Sequence, residues 1–122
     1  MSDDTTFSGW KNHATWCVNL HLSNNEEWQN ERQAQTEDAW NDAPDSDQVK
    51  SGIWSIEEAR RFNLAATLKN WVEEILFPDR PGEPQDDDLF QMDMLRGYLD
   101  DVNWNELADH AIADYAAELK AS

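Results

Sequence analysis

The sequence predicts an all-α protein, a compact bundle of four or five helices in a single domain. Three observations predict it. Apolar residues recur at three- and four-residue spacing through the second half of the chain. Two stretches, Ser55–Glu58 and Asn103–Glu106, have the pattern of helix starts. Only one stretch alternates like a strand, and nothing else in the chain could pair with it. At 122 residues the chain is long enough for one core and short for two.

Residues 1–8 read as a flexible acidic tail and residues 9–122 as the helical domain. Between Asn12 and Leu22 the spacing is ambiguous. Trp16, Val18, Leu20 and Leu22 alternate, while Trp16, Cys17 and Leu20 share one helical face. Helix is preferred because a lone strand has no partner. Ser23, Asn24 and Asn25 supply stop-and-restart capping before Glu26 and Glu27, acids suited to a first turn. A second helix is expected over about 26–41 with Trp28 and Trp40 inward, then a loop at 43–47 around Pro44. Ser55 and Glu58 form a capping box for a helix over roughly 56–77, with Ile56, Ala59, Phe62, Ala66, Trp71 and Ile75 on its apolar stripe. Three prolines and a glycine in Pro78–Gln85 break the helical pattern. Asp86–Asp88 then start a helix whose inner face is expected to be Leu89, Met92, Leu95, Tyr98 and Leu99. A last helix, about 104–119, is expected to bury Trp104, Leu107, Ala111, Ile112, Tyr115 and Leu119.

Charge is the most informative feature. The formal net charge is −17, and residues 23–48 and 81–110 carry −7 and −8 of it, with a neutral block at 49–80 between them. That balance disfavours direct binding to nucleic acid or to an anionic membrane, both of which would repel it. Mean hydropathy is −0.86, but seven tryptophans supply enough apolar area to argue against disorder. One cysteine, Cys17, excludes an internal disulfide and a cysteine-cluster zinc site. The acidic N-terminus has no basic start of a signal peptide, and no apolar run reaches membrane-span length, so a cytoplasmic location in a host cell is expected.

Catalytic patterns are weak. His110 and Asp114 stand four apart on one helix, but two ligands do not make a metal site. Asp86–Asp88 with Asp93 lacks the alternation and central glycine of a calcium loop, Cys17 has no adjacent base, and no glycine-rich phosphate loop occurs. Neither catalytic residues, metal nor cofactor is expected; the chain reads as a non-enzymatic binding protein. Its carboxylates are better placed for recognition. Glu27 with Glu31, and Asp38 with Asp42, stand four apart, a spacing of about 5–6 Å that approaches neighbouring phosphates on a nucleic-acid strand. Such like-charge pairs destabilise a helix by about 0.2–0.5 kcal/mol each. Together with Asp86, Asp87, Asp88, Asp93, Asp100 and Asp101 they compose two acidic ridges that could occupy the basic groove of a nucleic-acid-binding partner, with Trp40 and Trp54 as short-range anchors. The competing account is halophilic adaptation. Lysine is scarce, at four residues, and Asp outnumbers Glu by 15 to 11. On that account the acidity is solvation only, and any partner is met through an aromatic patch.

Two motif blocks carry a resemblance. Gly9-Trp10-Lys11-Asn12-His13-Ala14-Thr15-Trp16-Cys17-Val18-Asn19-Leu20, followed by Leu22-Ser23-Asn24-Asn25-Glu26, resembles the N-terminal Asn-x-x-Thr-Trp block of a family of small uncharacterised proteins. Phages, plasmids and some prokaryotic genomes, haloarchaeal ones among them, encode that family. Val102-Asn103-Trp104-Asn105-Glu106-Leu107-Ala108-Asp109-His110 resembles its C-terminal block. One departure is local: His13 and Ala14 stand where the family often has an aromatic or acidic pair. The resemblance implies a mobile-element setting and hence action against host defence, restriction or CRISPR machinery. Physically, the blocks read as fold determinants: Asn12 or Thr15 caps the first helix, Asn103 caps the last, Trp16 meets Trp104, and His110 donates to a nearby carbonyl or carboxylate.

Overall fold

A computed structural model describes residues 9–77, 82 and 86–121, the side chains of 86–88 excepted. The tail expected at 1–8 and most of the Pro78–Gln85 break lie outside the described residues. Every regular element is helical among those described: α1 (His13–Asn24), α2 (Glu26–Asp42), a 3-10 turn (Ala43–Asp45), α3 (Asp47–Lys50), α4 (Ile56–Leu76), α5 (Asp86–Asp100) and α6 (Trp104–Ala121). None of these helices is long and apolar enough to cross a membrane. The ambiguous stretch at 12–22 is therefore helix. The segment expected as a loop at 43–47 contains helical turns instead. Ser46 caps α3 through its hydroxyl, which accepts from Val49 N at 3.3 Å. Gly52 leaves that turn with φ at 79°, a left-handed value that favours glycine.

Helix starts follow local chemistry closely. Asn25 Oδ1 accepts from Trp28 N at 3.1 Å to begin α2. Ser55 Oγ accepts from Glu58 N at 3.1 Å, while Glu58 Oε1 accepts from Ser55 N at 3.0 Å, a complete capping box. At α6 Asn103 Oδ1 accepts from Glu106 N at 3.0 Å, but the Glu106 carboxylate does not return to Asn103. It accepts instead from Lys11 N, at 2.9 and 3.2 Å.

That diversion is part of a lock between the two motif blocks. Asn12 Oδ1 accepts from both Thr15 N (2.9 Å) and Thr15 Oγ1 (2.8 Å), capping α1. Asn12 Nδ2 donates to Asp101 O at 2.6 Å. Thr15 Oγ1, fully buried, accepts from Asn103 N at 2.8 Å. The start of α1 and the start of α6 are thus capped partly by each other. His110, expected to donate a hydrogen bond, packs against Trp10 with ring centroids 4.1 Å apart and the rings tilted by 34°.

The core lies where α4 packs on α2 and α6, which also pack on each other, with α1 against α2 and α6. Leu64 and Leu68 of α4 are fully buried, joined by Val72, Leu107 and Leu99. Ala14, Ala39, Ala65 and Ala108 are also buried and let the helices approach closely, while Trp10, Trp28, Trp71 and Trp104 pack around the rim. The tryptophans therefore seal the core instead of filling its centre, because a ring too large for these narrow interfaces still buries most of its area at an edge. The expected α4 stripe holds in part: Ala59 is buried and Ile56, Phe62, Trp71 and Ile75 are half-buried, but Ala66 is exposed, and Leu64, Ala65 and Leu68 take the deepest positions beside Ala59. Leu119, expected to be buried in α6, is 46% exposed because it lies in the last turn, beyond most of the packing.

The larger correction concerns α5. Leu99 is buried and Met92 half-buried, but Leu89, Leu95 and Tyr98 are exposed. Among the described residues, this helix joins the core cluster at Leu99, near the Asn12–Asp101 bond. The Tyr98 hydroxyl also bonds to His13 Nδ1, tying that end to α1.

Candidate acidic interface

The α2 solvent face is built by what α2 turns inward. Trp28 and Ala39 contribute apolar surface to the core, and Gln35 and Thr36 are buried beside them. Thr36 Oγ1 donates to Arg32 O at 2.7 Å, which satisfies the hydroxyl within the helix. Arg32 is the single base of residues 23–48, and it too points inward. Its Nη1 donates to Asn19 Oδ1 at 3.0 Å and its Nη2 to Ser23 Oγ at 3.3 Å, clamping α2 to the end of α1. Burial lowers the Arg32 pKa, and the Asp114 carboxylate partly offsets this by favouring the charged form. Arg32 lines a small polar cleft of about 150 Å³ between α2 and α6, with Thr36, Asp114, Tyr115 and Glu118.

With Arg32 withdrawn, the outer surface of α2 carries one sign of charge. Glu26, Glu27, Glu31, Glu37, Asp38 and Asp42 are all exposed, and no exposed Lys or Arg accompanies them on this helix. Glu27, Glu31, Asp38 and Asp42 follow one flank at offsets of 4, 7 and 4 residues. At the rise of an α-helix this is about 6, 10 and 6 Å, or roughly 22 Å from end to end. Gln35 Nε2 donates to Glu31 Oε2 at 2.8 Å and holds that carboxylate in place. The remaining surface is uneven: α1 contains no acid, and α4 has none between Glu58 and Glu73.

The other expected acidic residues divide. Asp93 and Asp100 are exposed seven residues apart on one side of α5, and Asp101 is exposed in the turn that follows. Asp86, Asp87 and Asp88 begin α5, and their side chains lie outside the described residues. The extensive packing of α2 is with α1, α4 and α6, so the two acidic segments belong to helices that do not form one packed layer. Other carboxylates are engaged within the fold. Asp109 pairs with Arg61 Nε at 2.7 Å, and Glu106 serves the motif lock.

Trp40 and Trp54, expected as anchors, are half-buried and packed within the chain. The Arg60 guanidinium lies 3.5 Å above the Trp40 ring, and Tyr115 meets the same ring edge-on at 5.5 Å. Trp54 packs edge-on against Phe62 at 5.0 Å. Exposed apolar side chains instead include Ile53, Phe90 and Met94. Sequence reasoning missed Phe90 and Met94, although the signal was present. Leu89, Phe90, Met92, Met94 and Leu95 crowd too many apolar residues into seven positions for a single helical face.

Among the described residues no group of three or more His, Cys, Asp or Glu side chains is arranged to hold a metal ion. In comparisons with known proteins, the chain matches no family model, no curated protein and no solved structure.

Proposed function

We propose that this chain is a non-enzymatic binding protein that presents the α2 acidic face to the basic surface of a nucleic-acid-binding protein and competes there with the natural polyanion. The observation that carries this reading is the withdrawal of Arg32. One helix displays six exposed carboxylates with no exposed base, and the neighbouring α1 surface has no acid. A face of this kind engages a basic groove through the same counterion release that drives nucleic-acid binding. Asp93, Asp100 and Asp101 extend the negative field from α5. The resemblance of the two motif blocks to mobile-element proteins favours host restriction or CRISPR machinery as the partner's setting.

The test is displacement of a labelled DNA duplex from purified host restriction and CRISPR nucleases. Substituting Glu27→Lys, Glu31→Lys, Asp38→Lys and Asp42→Lys moves the formal charge from −17 to −9. Displacement by the parent should weaken steeply with salt, and the fourfold variant should lose both displacement and most of that salt dependence. Unchanged displacement by a variant of intact helical content refutes the reading.

A second reading, acidity as adaptation to strong salt, draws on the exposed acids at both ends of α4 (Glu57, Glu58 and Glu74) and on α6 (Asp114 and Glu118). It predicts a large gain in melting temperature in molar KCl. The first reading predicts a stable fold in dilute buffer.

A further inference from the structure

α5 has two apolar sides, and only one is used by the bundle. Met92 and Leu99 turn inward, whereas Phe90 and Met94 stand four residues apart at 68% and 63% exposure. The outer line continues three residues further at Gly97, the i, i+4, i+7 spacing of one helical stripe.

Among the described residues, nothing packs closely against Gly97. It lies in the last turn of α5, three residues before the helix end, where glycine is still a weaker helix former than any residue but proline. Its φ is not in the left-handed range that favours glycine, and among the described residues a Cβ placed on it would meet nothing within 4 Å. The open space above a helical glycine admits close approach of another backbone or side chain from outside. The charges beside it are one-sided. Asp93 and Asp100, seven residues apart and exposed, run along one edge of the stripe. Arg96, the one base of α5, stands three residues after Asp93 and four before Asp100, on the side of that edge opposite the stripe, with its guanidinium 4.6 Å from the centre of the Phe77 ring.

The geometry points to a docking site on α5 for a basic amphipathic helix of a partner protein. Its apolar face covers Phe90 and Met94, one of its side chains sits over Gly97, and its Lys or Arg residues lie against Asp93 and Asp100. Charge complementarity selects this occupant. A second copy would bring another chain of charge −17 and another Asp93–Asp100 edge to the same place, and an anionic lipid surface is repelled likewise. Asp93 and Asp100 also belong to the proposed decoy surface, but this site rests on α5 and does not require the α2 reading.

The probe is a labelled helical peptide of Leu and Lys in heptad order, compared with a scrambled peptide of the same composition and with a Glu-for-Lys version. The parent chain should bind the ordered peptide about tenfold more tightly than the scrambled one, and the Glu version not measurably. Gly97→Gln adds no charge and should raise the melting temperature, yet weaken the ordered peptide by about tenfold. Phe90→Ser with Met94→Ser should abolish the preference for the ordered peptide. The fourfold α2 variant should keep that preference even where it has lost duplex displacement. Equal affinity for ordered and scrambled peptides overturns the site, as does undiminished binding by Gly97→Gln. So does a concentration-dependent dimer, or binding to phosphatidylserine vesicles, that Gly97→Gln abolishes. Loss of this preference with duplex displacement intact removes the α5 site alone; the converse removes the decoy reading alone.

Discussion

Replacing Thr15 by Val isolates the lock between the two ends of the chain. The two side chains are close in shape, so the perturbation is the loss of one hydroxyl. In the parent that hydroxyl is fully buried, donates to Asn12 Oδ1 at 2.8 Å and accepts from Asn103 N at 2.8 Å. Asn12 Oδ1 retains its bond from Thr15 N, so the α1 cap survives in part. The Asn103 amide is left without its acceptor at the start of α6. Stranding such a donor, together with the lost hydrogen bond, should cost about 2–3 kcal/mol. For a chain of this length each kcal/mol corresponds to about 4 °C, so the melting temperature should fall by roughly 8–12 °C. The control is Thr15→Ser, which keeps both bonds and removes one methyl group, for about 1 kcal/mol or roughly 4 °C. Thermal and urea unfolding, each followed by circular dichroism and tryptophan fluorescence, measure both variants. If Val and Ser melt within about 2 °C of one another, the hydroxyl does not hold the two blocks together and the account of the lock is wrong.

Two further outcomes test the packing and the α1–α5 junction. Leu68→Ala, at a fully buried position, should destabilise by about 2–5 kcal/mol, whereas Leu119→Ala, at 46% exposure, should stay within about 1 kcal/mol in urea unfolding. Partial burial of the Tyr98 ring, then the adjacent Cys17 thiol and Asp101, hold the Tyr98 hydroxyl above the usual tyrosine value of 10.0. The unfolded chain therefore releases this proton at lower pH than the folded chain does. Its contribution is fully present below about pH 10 and is lost as pH rises through the higher folded value. Stability measured from neutral to alkaline pH should accordingly fall more steeply for the parent than for Tyr98→Phe; parallel curves would contradict the assignment.

The sequence by itself determined the helical class and most helix starts. Asn12, Asn25, Ser55 and Asn103 each cap a helix through a side-chain oxygen that accepts an amide three residues on. An interaction that closes within one turn is readable from a few neighbouring letters. The segregation of charge is equally plain, because net charge by segment needs only counting. Tertiary structure alone decided that Glu106 reaches Lys11 N, since the Asn-to-Glu spacing fits a local box and a long-range bond equally well. It alone turned Arg32 inward onto Asn19 and Ser23, which is what leaves the α2 face without a base. It also occupied Trp40 between Arg60 and Tyr115. On α5, where the apolar residues exceed one face, periodicity offers two stripes and cannot rank them. Which stripe is buried depends on which surface the rest of the chain brings against it, and that surface comes from residues distant in sequence.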